Sequence, residues 1–186
     1  ESSTPLTLWK EWGHRRVHRV FALCVIVASG VAATTGIARA AVFVVTKQAD
    51  TNDGACDADC SLREAINAAN ADFGAETITF NSTVFAAPGP YTINLTGVLP
   101  EITQSNLTLN GPGIDKLTVR RNTGGFYRIF SFGGVVETAA ISDMTLNNGF
   151  SAEDGGAVKF IGKTLTINNA GFIDNKSGNS GGAIFA

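Results

Sequence analysis

With 186 residues the chain has room for one domain. It carries 14 Lys+Arg against 16 Asp+Glu, a formal net charge of −2, and past residue 40 it has no basic run. That balance argues against nucleic-acid binding and against docking on anionic lipid. The chain begins at Glu1 and ends at Ala186 inside a strand-like stretch, so we expect a piece of a longer reading frame.

Residues 1–40 read as a secretory signal peptide. Lys10, Arg15, Arg16 and Arg19 form a positive region, Val20 to Ala33 is apolar, and Ala38-Arg39-Ala40 fits the small-x-small cleavage pattern. Cleavage there starts the mature chain at Ala41. The competing reading is an uncleaved anchor, because the uncharged run between Arg19 and Arg39 reaches the roughly 20 residues that span a membrane. Thr34, Thr35 and Gly36 dilute that run, and the cleavage pattern favours the signal peptide. The segment takes five of the 14 Lys+Arg and two of the 16 Asp+Glu, leaving a net −5. No membrane span is expected in the mature chain.

Ala41 to Thr46 is rich in β-branched and aromatic residues and predicts a first strand. A polar loop with Asp50, Asp53, Asp57 and Asp59 follows. Cys56 and Cys60 are the two cysteines left after Cys24 departs with the leader. In an exported chain such a pair predicts a disulfide closing a small loop. Zinc competes for the pair, but His14 and His18 both lie upstream of the cut, and two thiolates do not complete a tetrahedral site. No metal or other cofactor is expected.

Ser61 followed three residues later by Glu64 is a capping box, and Leu62, Ala65, Ile66 and Ala69 recur at helical spacing. They predict a short helix from Ser61 to Ala71, dependent on packing against a neighbour. Past Gly74 the period changes to two. Ile78 and Phe80 alternate with threonines. Tyr91–Leu95, Leu107–Asn110, Leu117–Val119, Met144–Asn147 and Leu165–Asn168 repeat the pattern, separated by Gly- and Pro-rich turns.

Several of these strands are near-copies. Leu107-Thr-Leu-Asn, Met144-Thr-Leu-Asn and Leu165-Thr-Ile-Asn match one another, and Gly155-Gly-Ala-Val158 returns 26 positions later as Gly181-Gly-Ala-Ile184. Repeats that short, with strands and no helix, fit a parallel β-helix better than a propeller blade of about 40 residues. The expected fold is therefore all-β: a right-handed parallel β-helix (solenoid) with a short N-terminal capping helix. Residues 41–74 form the cap and 75–186 the rungs. Leu109, Leu146 and Ile167 are assigned to one interior ladder, and Val158 and Ile184 to another. Asn110, Asn147 and Asn168 are candidates for a stacked asparagine ladder. The helix sits where an open strand edge needs covering.

The stretch Cys60-Ser-Leu-Arg-Glu-Ala-Ile-Asn-Ala-Ala-Asn70 resembles the signature of CSLREA-domain proteins, supported by Asp53–Cys56 and by Ile78-Thr-Phe80. Leu99–Ile102 and Leu107–Asp115 resemble the next segment of the same proteins. Gly181-Gly-Ala-Ile184 and Phe172-Ile-Asp-Asn175 resemble the paired repeats of polymorphic outer membrane proteins. The resemblance implies an exported bacterial β-helix, secreted or on the cell surface at the outer membrane. It carries no established enzymatic activity and no catalytic residues.

Two functions compete. A structural or adhesive module would use flat faces of Thr, Asn and Ser to bind extended polymers such as polysaccharide, or host and cell-surface components. A polysaccharide lyase or glycoside hydrolase would need paired carboxylates, or calcium-binding acids with a basic residue. The candidates for the latter are Glu153, Asp154 and Asp143 with Arg120, Arg121 and Arg128. The bland reading of the two adjacent acids is a solvated turn. Asp50, Asp53, Asp57 and Asp59 lack the spacing of a calcium loop and read as a solvated acidic loop. Arg63 reads as exposed on its helix, and Phe126, Tyr127, Phe130 and Phe132 as a packed rung corner before a sugar platform. The matches to the glycosylation sequon at Asn81, Asn94, Asn106 and Asn175 are what a Thr/Asn-rich chain produces by chance. The reading adopted is a non-enzymatic exported module.

Overall fold

The computed structural model describes residues 40–122 and 124–186. The signal-peptide reading of residues 1–40 falls almost wholly outside them. Within the described residues the chain winds into a parallel β-helix of about four turns with one short helix.

The first face of the solenoid stacks β1 (Val42–Val45), β2 (Ala75–Phe80), β4 (Asn106–Asn110) and the leading halves of β7 (Thr138–Asn147) and β10 (Thr164–Ile173). The second stacks β3 (Tyr91–Leu95), β5 (Leu117–Arg121) and the trailing halves of β7 and β10. The third stacks β6 (Phe130–Phe132), β9 (Val158–Phe160) and β12 (Ile184–Phe185), with Ile102 bridging to Phe132. A short pair, β8 (Phe150–Ser151) and β11 (Lys176–Ser177), joins the later turns. Every pairing is parallel, so each strand meets its neighbour only after the chain has gone once round.

Alternation dictates which side chains fill the interior. Phe43, Ile78, Leu109, Ile141 and Ile167 occupy one register row of the first face. Ile93, Val119, Leu146 and Phe172 occupy a row of the second. Phe130, Val158 and Ile184 occupy a row of the third, which places Val158 and Ile184 together as their repeat predicts. Leu146 is a correction. It is fully buried, but it stacks between Val119 and Phe172, not between Leu109 and Ile167. The residue that separates those two is Ile141. Strand β7 turns a corner at Asp143, so its first half continues the Leu107–Asn110 row and its second half belongs to the next face. Ile167 and Ile184 are only partly buried, because they belong to the last turn described.

The asparagine ladder is a second correction. Asn110 and Asn168 flank Ser142, whose hydroxyl lies 3.0 Å from Asn110 Oδ1, while Asn147 pairs with Arg120 and Ile173 on the other face. Left-handed backbone is instead found at the corners, at Asp143, Asn148, Asn169 and Asp174, where a short polar side chain tolerates it.

Helix α1 (Leu62–Ala71) forms as its sequence predicts. Ser61 Oγ accepts from the Glu64 N–H while Glu64 accepts from the Ser61 N–H, and Leu62, Ala65, Ile66 and Ala69 are buried. The helix lies along residues 97–104 of the following turn. Asn70 bonds the Glu101 carbonyl and the Thr103 N–H, and Gln104 donates to the Ala69 and Asp72 carbonyls. It also packs against β1 and β2.

Candidate functional site

Two places concentrate polar side chains: the cap, and the outward surface of the first face. The Cys56–Cys60 disulfide is present in the cap, with Cys60 buried. It ties the acidic loop directly to the start of α1. Arg63 corrects the expectation of an exposed side chain. Its guanidinium grips both Asp50 carboxylate oxygens, at 2.9 and 2.7 Å, and donates to the Val98 and Gly97 carbonyls. Asp50 is not part of a solvated loop either. Its side chain is fully buried and also accepts from the Thr96 backbone and hydroxyl. Burial alone would raise the Asp50 carboxyl, but the bonds from Arg63 and Thr96 outweigh it and hold the group below its ordinary range.

Glu64 follows the same logic. Burial opposes its charge, yet N–H groups of Ser61 and Asp53 and the nearby Lys47 ammonium keep it ionised below the usual carboxylate range. Asp53 and Asp57 accept from backbone N–H groups two residues on, and Asp59 meets Lys47 at 3.1 Å. These are turn and capping roles. Among the described residues no group of three or more His, Cys, Asp or Glu side chains converges as a metal site would require.

Most of the acids and bases singled out for catalysis are employed in fastening turn to turn, whereas Arg120 is exposed on β5 beside Asn147. Arg128 donates to the Ser151 hydroxyl and to the carbonyls of Asp154 and Gly155. Asp154 accepts from the Ser180 N–H of the next turn, and Glu153, largely exposed, faces Arg128 and Lys159 at 3.9 and 3.8 Å. Arg121 donates to the Asn148 and Gly125 carbonyls and lies over the Tyr127 and Phe150 rings. Asp143 accepts from Asn169. Of the aromatic cluster, Tyr127, Phe130 and Phe132 are buried, as the rung-corner reading expects, and Phe126 stands exposed.

The repeat motifs have local jobs of the same kind. Asn175, closing Phe-x-x-Asn, accepts from the Gly149 N–H and donates to the Leu146 carbonyl one turn back. Gly155 has a φ of +68°, and a Cβ on Gly156 would run into the Gly182 and Lys176 carbonyls. The Gly-Gly pair is therefore what a tight corner between stacked turns demands.

The outward surface of the first face is different, because its side chains are aligned in rows across the strands. Thr77, Thr108, Ala140 and Thr166 form one row, and Asn106, Thr138 and Thr164 a second. Successive members sit on neighbouring strands, about 4.8 Å apart. Within the second row Thr138 donates to Asn106 at 2.8 Å. The rows line an open depression of about 460 Å³. No basic side chain lines it.

The fold and this surface define a class, a parallel β-helix protein with a hydroxyl-rich face. No family model, curated protein or solved structure matches the chain. Among the described residues no helix is long and apolar enough to cross a membrane.

Proposed function

We propose that this chain is an exported, cell-surface or secreted β-helix module with a structural or adhesive role, its first face being the contact surface for an extended polysaccharide. The aligned Thr and Asn rows carry the reading. They offer hydroxyls and amides at a fixed repeat over a depression without a basic side chain, which suits a neutral, hydroxyl-rich chain lying across the strands. The resemblance of residues 60–70 to CSLREA-domain proteins, and of the Gly-Gly-Ala and Phe-x-x-Asn motifs to outer membrane repeats, supports the same setting. So does the Cys56–Cys60 disulfide, a bond characteristic of oxidising compartments.

The test is a panel of neutral and acidic polysaccharides, with calcium present, followed both for binding and for new reducing or unsaturated ends. Binding without turnover is expected, weakened at least about tenfold by Thr108→Lys with Thr166→Lys while melting stays unchanged, a loss of about 1.4 kcal/mol. Turnover abolished by Asp154→Asn would establish the carbohydrate-active enzyme in its place. Binding that survives the paired lysines would move the contact surface elsewhere.

A further inference from the structure

Glu76 is the one charge that breaks the interior pattern of the first face. Its register row continues as Leu107, Ala139 and Leu165, all apolar. Glu76 itself is 1% exposed. Oε2 accepts one hydrogen bond, from the Ala41 backbone N–H at 2.8 Å, and Oε1 is buried with no partner. Among the described residues no cationic side chain forms an ion pair with it. A buried carboxylate held by one neutral donor is a costly arrangement, and its usual remedy is an opposite charge.

Ala41 is the residue at which the signal-peptide reading starts the mature chain. The Thr77 N–H donates to the Ala41 carbonyl at 2.9 Å, which seats Ala41 on the sheet edge directly beside Glu76. Ala40, preceding it, is exposed. From this geometry we infer that Glu76 is the receptor for the N-terminus released by processing. Hydrolysis of the Ala40–Ala41 bond by a leader-cleaving peptidase adds water. The hydroxyl goes to the Ala40 carbonyl carbon and the hydrogen to the Ala41 nitrogen, which takes a further proton at neutral pH. A single amide N–H becomes an ammonium with three donors. One keeps the bond to Oε2 and another is free to serve Oε1. Processing thus converts an undersatisfied buried carboxylate into an ion pair and locks β1 as the first strand of the solenoid. The inference rests on the export reading.

The test uses the full chain, expressed with its leader in an exporting bacterium. Intact mass of the exported protein should place the cut between Ala40 and Ala41. Absence of the protein from the exported fraction would overturn the export reading and this inference with it, whereas an exported protein cut elsewhere, or left uncut, would overturn this inference alone. The processed protein is then compared with the unprocessed chain carrying Ala38→Phe and Ala40→Phe, which remove the small-x-small pattern. The processed form should be more stable by about tenfold in its folding equilibrium, the gain from making a neutral bond charge-assisted. In the Glu76→Gln background that gap should close. A gap that Glu76→Gln leaves unchanged overturns the ion pair while leaving export standing. Should Glu76→Gln not fold, acylation of the wild-type α-amine decides. A paired ammonium reacts about tenfold more slowly than a free peptide amine for each unit its pKa is raised, and reaction at the free-peptide rate overturns the pair.

Discussion

Asn169 donates its side-chain amide to the Asp143 carboxylate at 2.7 Å, one full turn away, and both residues hold left-handed backbone, with φ of 46° and 55°. This stacked pair forms the corner at which β7 and β10 pass from the first face to the second. A corner of this kind needs a residue that enters the left-handed region cheaply and a side chain short enough to bond its neighbour along the axis. Asp143→Val supplies neither, so it should destabilise the protein by about 1–2 kcal/mol. Asp143→Asn should keep the corner. Urea unfolding of both variants checks this, and equal midpoints would remove the corner from the list of stabilising features.

Leu146 is completely buried between Val119 and Phe172, whereas Ile167 lies in the last described turn and is only half covered. Leu146→Asp should therefore abolish the cooperative melt, since an unpaired charge in the interior costs more than a small array can lose. Ile167→Asp should lower the melting temperature far less. Circular dichroism during heating distinguishes the two. A Leu146→Asp protein that melts like the wild type would move this residue out of the core.

The acid response of the cap follows from Asp50 and Glu64. Both carboxyls titrate below their ordinary values of 3.8 and 4.5 in the folded protein. The unfolded chain therefore takes up these protons first as pH falls. The stability they contribute is complete above the ordinary values and is lost as pH drops through them toward the lower folded ones. Unfolding free energy measured from pH 6 down to pH 2 should decline with that onset. Asp50→Asn should start less stable at neutral pH, by up to about 3 kcal/mol because Arg63 loses its buried partner, and should show a shallower decline. An identical acid profile would exclude Asp50 as a source.

Reduction of Cys56–Cys60 should loosen the cap without dissolving the sheets. The bond closes a loop of sequence separation 4, for which chain entropy gives about 2 kcal/mol. Thiol titration of the exported, unreduced protein should find neither cysteine free, and far-ultraviolet dichroism should persist after reduction. Two titratable thiols in that sample would refute the bond.

Much of the architecture is written in local patterns. Alternation of apolar residues with Thr and Asn marks the strands, Ser61 with Glu64 marks the helix start, and the Gly-Gly corners mark where the chain bends. Each of these depends on a residue and its near neighbours, so it is legible without knowing what packs against it. The candidate face was legible only as a composition of outward Thr and Asn. Its rows are a property of register.

Register is a contact between residues a whole turn apart, and turn length varies. Asn106 meets Thr138, 32 positions on, yet Asp143 meets Asn169 after 26. Resemblance between strings cannot tell which strand stacks on which when the spacing changes, and so Met144-Thr-Leu-Asn looked like the partner of Leu107-Thr-Leu-Asn although it lies on another face. The long-range polar pairs escaped for the same reason. Nothing near Arg63 in the chain announces Asp50 or the carbonyls of Gly97 and Val98, and nothing near Glu76 announces Ala41. Local patterning settled the kind of fold because the backbone's alternation and capping needs are local. The burial of Asp50, Arg63 and Glu76 was decided by winding, which brings distant segments together and removes water from between them.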